Sequence, residues 1–180
     1  MKGKPPERRE HGFGMHNELT EVDIKKMQEE IEYRISLRPQ LREEVARTRD
    51  FGDLSENDEY RSAKREKNKN DSRIRYLQNM IRTAVIISPK SDADTVGLFD
   101  RVRLYAEDED CEEEFQIVTS LRQDVLSGYI SKESPMGQAL MGHRVGDRIL
   151  IEVNPKFSYY VVIREIIKGT DDENIPISSY

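Results

Sequence analysis

Five carboxylates stand close together within the first half of the chain. Residues 50–60 contain Asp50, Asp53, Glu56, Asp58 and Glu59 and no Lys or Arg. Carboxylate oxygens are the hard ligands that Mg²⁺ prefers, and two carboxylates three residues apart can converge at a helix start. The same residues would also suit an ordinary capped helix, because acidic side chains complement the helix dipole and Ser55 or Asp53 would serve as N-cap. The residues alone leave both interpretations open.

A basic segment follows the acidic one directly. Residues 61–75 carry seven Lys or Arg and two acidic residues, so a segment of net charge −5 is next to one of +5. Arg61, Arg65, Lys69 and Arg73 recur at every fourth position, with Lys64 beside them, and therefore share one face of a helix. A solvated helix face is the plain alternative, but charged helices usually mix the two signs. The pattern predicts a positive stripe behind an acidic segment.

A helical hairpin is predicted to position both segments. From residue 57 to residue 84 a heptad seam can be followed, and a second seam lies upstream. Antiparallel pairing would place Ile24 opposite Ile81, Ile31 opposite Ile74, and Val45 opposite Tyr60. The turn then falls at Gly52, where a reversal needs a permissive backbone. At about 1.5 Å per residue the arms are roughly 50 Å long, which puts the carboxylates at the far tip.

Three polar or rigid positions interrupt these seams. Pro39 lacks an N–H and is expected to kink the first helix or mark a short adjustment in it. Lys67 and Asn70 occupy seam positions, where polar side chains either fix the register of the helices or let the arms splay into water.

The composition excludes several classes of protein. Of 180 residues 36% are charged and 36% are apolar, with no Trp, so one thick core made from the whole chain is not expected. The longest purely apolar run, residues 84–87, is far too short to span a bilayer, and no secretory signal is recognised. Cys111 is the single cysteine, which excludes an internal disulfide. We therefore expect a cytoplasmic protein with no membrane partner.

The second half of the chain is predicted to be a small α+β domain. Strand-like runs occupy residues 101–106, 115–120, 129–130, 145–153 and 157–167. Ser134 and Pro135 suit the N-cap and first position of a short helix that ends before Gly142. Residues 89–96 are predicted to be a linker and residues 97–168 the domain. Residues 1–18 and 169–180 are expected to be flexible.

Two motifs resemble one protein family. The sequence FGDLSENDEYRSAKREK at residues 51–67 is similar to the tip and second-helix start of the Gre transcript cleavage factors of bacteria, the GreA/GreB family. Arg38-Pro39 is similar to the family's Arg-Pro step. The sequence SPMGQALMGHRVGD at residues 134–147 resembles the signature of the family's C-terminal domain. The resemblance covers residues 19–168.

The resemblance implies an architecture and an activity. The fold would be α+β, with a long N-terminal antiparallel coiled-coil hairpin at residues 19–88, its acidic tip near residues 52–57, and a C-terminal FKBP-like domain. Such factors bind bacterial RNA polymerase and insert the coiled coil into its secondary channel. They stimulate cleavage of backtracked RNA at its 3′ end by the polymerase's own active site. The chain itself would therefore not be an enzyme, and we expect a monomer.

The resemblance also implies roles for individual residues. Asp53 and Glu56 match the family's acidic pair, which would help to hold a catalytic Mg²⁺ shared with the polymerase active site. The stripe of Arg61, Lys64, Arg65, Lys69 and Arg73 would neutralise the phosphates of extruded RNA. Four residues match the contact with the polymerase β′ coiled coil: Glu133, Ser134, Pro135 and Met136.

Other functions compete with cleavage stimulation. An inhibitory relative would enter the same channel without stimulating cleavage, although the GDLSEN sequence of the tip favours cleavage. A coiled-coil adaptor without chemistry would not need the tip carboxylates. Prolyl isomerase activity has little support, because a fold does not imply a function.

Overall fold

The first arm of the hairpin is a helix interrupted at one residue. The computed structural model describes residues 18–49, 57–89 and 92–178. Helix α1 spans Glu21–Ser36 and helix α2 spans Arg38–Arg49. The break at Leu37 lies just before Pro39, which has no N–H to donate to the preceding turn. The adjustment predicted at Pro39 is confirmed.

The second arm is a single helix, α3, which spans Asp58–Thr83. Its N-cap is Asn57, whose Oδ1 accepts a hydrogen bond from the backbone N–H of Tyr60 at 2.9 Å. The prediction of Ser55 or Asp53 as N-cap is therefore wrong. The same Asn57 amide donates from Nδ2 to the backbone oxygen of Thr48 at 2.8 Å, so one side chain both caps α3 and ties it to α2.

The two arms pack in close to the predicted register. The amide of Asn70, 5% exposed, donates from Nδ2 to the backbone oxygen of Arg34 at 3.0 Å. Asn70 thus fixes the register, as one of the two predictions for this polar seam position stated. Lys67 instead pairs with Asp71 on its own helix, with 3.1 Å between Nζ and Oδ2.

The base of the hairpin packs in an apolar cluster that is separate from the core of the globular domain. Its buried members are Leu19, Met27, Leu77, Met80 and Leu121. Leu19 belongs to β1 (Glu18–Leu19), which pairs in parallel with β2 (Val85–Ile86). Residue 18, predicted to be part of a flexible extension, therefore belongs to a strand; residues 1–17 lie outside the described residues.

The second half of the chain forms a five-stranded sheet. Its strands are β3 (Arg101–Ala106), β4 (Cys111–Val118), β5 (Tyr129–Ser131), β6 (Arg148–Asn154) and β7 (Phe157–Ile167). Their order in the sheet is β5-β4-β3-β7-β6, and β4–β5 is the parallel pair. Val102, Leu104, Val161 and Ile163 are buried on the inner face. Together with the hairpin, this sheet confirms the predicted α+β fold.

Several predicted boundaries need correction. Strand β4 begins at Cys111 and not at residue 115, because the ladder with β3 continues to the Ala106–Cys111 pair. Val96, placed in the linker, is 2% exposed and packs in the sheet core. Helix α4 spans Pro135–Leu140 and is N-capped by Ser134, as predicted.

The predicted flexibility of the C-terminal tail is wrong for residues 169–178. Ile175 is 3% exposed and belongs to the sheet core, while Ile177 packs on the apolar cluster of the hairpin. Residues 179 and 180 lie outside the described residues. Among the helices of the described ranges, none is long and apolar enough to cross a membrane.

Candidate functional site

The tip carboxylates predicted to serve catalysis, Asp53 and Glu56, lie outside the described residues. The structure does describe both ends of the chain segment that contains them. Thr48 and Asn57 are joined by the 2.8 Å hydrogen bond described above, and the Thr48 side chain is nearly fully buried. The two arms therefore contact each other at this hydrogen bond.

A shallow and open basic surface on α3, the basic groove, begins about one turn beyond Asn57. The side chains that line it on α3 are Arg61, Lys64, Arg65, Asn68, Lys69 and Ser72. The Lys and Arg among them are all exposed. Arg61 pairs with Asp58 in the first turn, and the Lys64 ammonium lies 5.7 Å from the centre of the Tyr60 ring. Within the described ranges no ion pair is found for Arg65 or Lys69, and both side chains are exposed.

The prediction that Arg73 belongs to this exposed stripe is wrong. Its guanidinium is buried and makes two hydrogen bonds to Glu30 of α1, each of 2.9 Å. It also donates to the backbone oxygen of Ser178 at 2.8 Å. Burial raises the pKa of Glu30, but the hydrogen bonds from Arg73 and Arg34 outweigh this effect and hold the pKa below its usual range. Arg73 is a structural ion-pair partner near the base of the hairpin.

A different face of the hairpin is lined largely by acidic and uncharged residues. A second groove is lined by Leu41, Glu44, Arg47, Glu59, Ser62, Ala63 and Glu66. A hydrogen bond from Arg47 holds the pKa of Glu44 below its usual range. The hairpin therefore separates charge by face, since the basic groove holds four of the five residues in the predicted RNA-binding set.

The four predicted polymerase contacts lie together at the start of α4. Pro135 is exposed, whereas Ser134 is half-buried and its Oγ accepts a hydrogen bond from the backbone N–H of Gly137 at 3.0 Å. Glu133 Oε2 accepts a hydrogen bond from Ser120 at 2.8 Å. Met136 is half-buried against the sheet core. Pro135 and its neighbours thus form one small surface, and hydrogen bonds of Glu133 and Ser134 hold it in place.

Gly137 explains how this surface sits so close to the sheet. A Cβ atom built on Gly137 would lie 2.1 Å from the backbone oxygen of Ser131, which no side chain tolerates. The absence of a side chain lets α4 approach β5 directly.

Sequence reasoning missed the buried pair Asp23 and Arg122. Arg122 Nε donates to Asp23 Oδ1 at 2.5 Å, and both side chains are fully buried. One signal was present in the sequence, because Thr20 and Asp23 have the spacing of a capping box. Both reciprocal hydrogen bonds of that box are formed, at 3.1 and 3.2 Å. No local pattern marks Arg122.

A small acidic group lies at the β3–β4 turn and the start of β4. Potential ligand atoms of Glu109, Cys111 and Glu113 lie within 4.8 Å of one another. Burial and the neighbouring carboxylates raise the pKa of the Cys111 thiol, which disfavours the thiolate that a metal needs. We assign no function to this group.

Comparison with known proteins agrees with the two motifs. The family model described as "Transcription elongation factor, N-terminal" matches residues 17–86, and that described as "Transcription elongation factor, GreA/GreB, C-term" matches residues 90–168. The transcription elongation factor GreA of Shouchella clausii is 43% identical over 135 residues, which are 74% of this chain and 85% of that protein. GreA of Oenococcus oeni is 38% identical over 84% of this chain and 94% of its own length.

A solved structure of related sequence is the GreA factor homolog 1 (Gfh1) of Thermus thermophilus. It is 25% identical, with a TM-score of 0.38, over 84% of this chain and 98% of that protein. Since the two family models together match most of the sequence from residue 17 to residue 168, the chain belongs to the GreA/GreB family of transcription elongation factors.

Proposed function

We propose that this protein stimulates Mg²⁺-dependent cleavage of backtracked RNA by bacterial RNA polymerase. In this proposal the surface around Pro135 docks on the polymerase and the hairpin enters the secondary channel. The polymerase supplies the active site and the protein supplies side chains to it. The observation that carries the proposal is the exposed basic groove on α3, which starts directly behind the segment with the acidic tip.

The length of the hairpin suits insertion into a channel. The first arm, from Glu21 to Arg49, is about 45 Å long at 1.5 Å per residue. Its apolar cluster lies at the base, so the outer part relies on a thin seam and on ion pairs such as Arg38–Asp71, with Nε 2.9 Å from Oδ1. A rod of this kind brings charged side chains far from the globular domain without a thick core.

The tip would contribute carboxylate oxygens to metal chemistry. Two-metal hydrolysis of a phosphodiester needs a second cation and an oriented water. Asp53 and Glu56 offer the hard oxygen donors that suit Mg²⁺. We assign Asp53 as a ligand to the ion shared with the polymerase and Glu56 to support of that ion or orientation of the attacking water.

The basic groove would hold the extruded 3′ segment of RNA. Arg61, Lys64, Arg65 and Lys69 are exposed along about two turns of α3, which is the form needed to neutralise successive phosphates. Tyr60 lies at the same end, with its ring centre 5.7 Å from the Lys64 ammonium. Because stacking of a base on an aromatic ring is tolerant of sequence, sequence-specific readout of bases is not expected. Arg73 has no part in this contact because it is buried.

The deciding experiment uses a stalled, backtracked elongation complex of a bacterial RNA polymerase. Addition of the protein with Mg²⁺ is expected to shorten the RNA. Asp53→Asn is expected to abolish shortening while binding to the polymerase is retained, and Asp94→Asn, an exposed carboxyl on the globular domain, is the matched control. Inhibition of elongation without cleavage would instead identify an inhibitory relative. Failure to bind the polymerase would overturn both.

A further inference from the structure

One short turn of the globular domain contacts the base of the hairpin directly. The 3₁₀ turn Ser120–Arg122 follows β4 and presents two adjacent side chains to the hairpin. Leu121 enters the apolar cluster of Leu19, Met27, Leu77 and Met80. Arg122 reaches the start of α1, where its Nη2 donates to Thr20 Oγ1 at 3.3 Å and its Nε donates to Asp23. Leu121 and Arg122 thus contact the hairpin base, and Lys132, further along the chain, also donates to Glu18 of β1.

The C-terminal tail surrounds the same turn from the other side. Arg122 Nη1 donates to the backbone oxygen of Asp172 at 2.9 Å. Its Nη2 lies 2.7 Å from Asp171 Oδ1, in an ionic contact without the alignment of a hydrogen bond. Ser178 donates from both its backbone N–H and its Oγ to the backbone oxygen of Leu121, at 2.8 and 2.9 Å.

The tail also binds both arms of the hairpin. Lys26 of α1 donates from Nζ to the backbone oxygen of Ile175. Arg73 of α3 donates to the backbone oxygen of Ser178 at 2.8 Å, while it is held by Glu30 of α1. Because these donors come from two helices, the tail is held against both arms of the hairpin.

Two isoleucines anchor the tail in different cores. Ile175 is 3% exposed and packs in the core of the five-stranded sheet. Ile177, two residues later, packs on the apolar cluster at the hairpin base. The segment therefore bridges the two parts of the molecule by burying one side chain in each.

The start of the tail is equally constrained. The backbone N–H of Gly169 donates to Asp100 Oδ1 at 3.0 Å. A Cβ on Gly169 would lie 1.9 Å from the backbone oxygen of Phe99, so this close approach requires glycine.

We propose that residues 169–178 are an intramolecular strap that holds the hairpin at one angle on the globular domain, with Arg122 as the positioning residue at its centre. The segment lies beyond residue 168, where the second family model ends. Contacts between domains of one chain commonly permit relative motion unless the interface is large and apolar. Here the strap adds the partly buried ionic contact of Asp171 with Arg122, hydrogen bonds and apolar anchors to the direct contact.

The length of the hairpin makes this angle important. A rotation of about 10° at the base would displace the end of an arm of about 45 Å by roughly 8 Å. If the globular domain docks on a partner, a strap at the base therefore decides where the tip arrives. This consequence for RNA cleavage rests on the proposed function, whereas the strap itself does not.

The strap is tested by distance measurements on the full chain without a partner. Spin labels are attached at Ser62→Cys on α3 and Ser158→Cys on β7, both exposed positions, in a Cys111→Ser background. Pulsed electron paramagnetic resonance then reports the distribution of distances between the labels. We expect one narrow distribution for the otherwise unchanged chain.

Two variants weaken the strap in different ways. One ends the chain after Gly169, and the other, Ile177→Ser, removes the anchor in the hairpin cluster alone. Each is expected to broaden the distribution roughly twofold or shift its mean, because the direct contact alone permits rotation. Glu173→Gln is the matched control within the tail, since Glu173 makes an exposed pair with Lys25 and should leave the distribution unchanged.

The outcomes separate the strap from the proposed function. If both strap variants keep the narrow distribution of the unchanged chain, the strap proposal is overturned. If truncation unfolds the chain, the distance distribution of Ile177→Ser alone decides whether the strap proposal stands. In the cleavage assay, a strap variant should lower the maximal rate at saturating protein while the half-saturating concentration stays unchanged. Absence of cleavage with the unchanged protein would overturn the proposed function and leave the distance result standing.

Discussion

The Arg122 guanidinium and the Asp23 carboxylate lie 2.5 Å apart, and neither side chain is exposed to solvent. This ion pair joins the globular domain to the first turn of α1. Asp23 also completes the capping box with Thr20. The same carboxylate therefore caps α1 and orients the Arg122 side chain. Arg122 in turn stacks over the Phe99 ring, 5.1 Å from its centre.

Asp23→Ala is expected to destabilise the protein by about 3 kcal/mol, because removal of one partner leaves a buried charge without its main counterion. Urea unfolding at neutral pH gives the measurement. Asp94→Ala removes an exposed carboxyl and is the control. A loss below about 1 kcal/mol, as for an exposed pair, would show that Asp171 and solvent replace Asp23 at little cost.

The Glu30–Arg73 pair is expected to make stability depend on pH. The folded state holds the pKa of Glu30 below its usual value, so the stabilisation is fully present above the unfolded pKa of about 4.3. It is lost as the pH falls through the lower folded pKa, since protonation then removes the charge. The free energy of unfolding of the unchanged protein, minus that of Glu30→Gln, should be constant near neutral pH and shrink in this acidic range.

The control for the pH experiment is Glu29→Gln, which changes an exposed carboxyl on the same helix. The free energy of unfolding of Glu29→Gln should differ little from that of the unchanged protein across the same pH range. A Glu30→Gln difference that does not shrink on acidification would mean that the pair contributes no charge-dependent stability.

Arg65→Gln and Lys69→Gln are each expected to weaken productive binding of backtracked RNA several-fold, with a stronger effect at low salt, because each removes one phosphate contact. The measurement is RNA cleavage as a function of protein concentration at two salt concentrations. Arg75→Gln is the matched control, since Arg75 is exposed on α3 outside the residues that line the basic groove and donates to Ser72 Oγ at 3.1 Å. Equal losses in all three variants would contradict a role for the groove itself.

Gly137→Ala is expected to weaken both folding and binding to the polymerase, because its Cβ would meet the backbone oxygen of Ser131 at 2.1 Å and force α4 outward. Thermal unfolding and a polymerase binding assay give the two measurements. Pro135→Ala changes an exposed side chain at the first position of α4 and should reduce binding with little change in unfolding. Normal binding by Gly137→Ala would show that α4 does not form the docking surface.

Periodic patterns explain why much of the fold was predictable. The heptad seam predicted the hairpin and its register, and Asn70 and Thr48 make their cross-hairpin contacts close to that register. The alternation in residues 157–167 predicted β7 with its observed bounds. The Ser-Pro pair predicted the start of α4. In each case the signal lies within one element, where local geometry repeats along the chain.

The candidate site was predictable in part. The spacing of Arg61, Arg65 and Lys69 correctly placed them on one exposed face. The same spacing placed Arg73 there too, but Glu30 and Ser178 draw its guanidinium into the base of the hairpin. A periodic pattern identifies a helix face, whereas burial of a charge depends on a partner that is distant in sequence. The roles of Asp53 and Glu56 stay predictions.

The sequence by itself determined the two-part organisation, the polarity of charge along the rod and the membership of the family. The tertiary structure alone decided that residues 169–178 pack against both parts and that Arg122 is buried between them. A polar tail such as GTDDENIPIS has the composition of a flexible end, because nothing local shows that Ile175 and Ile177 have cores to enter. Those cores are assembled from residues far away in the chain. The two isoleucines can therefore bury their side chains, and offset the entropy cost of ordering the tail, only once the chain has folded.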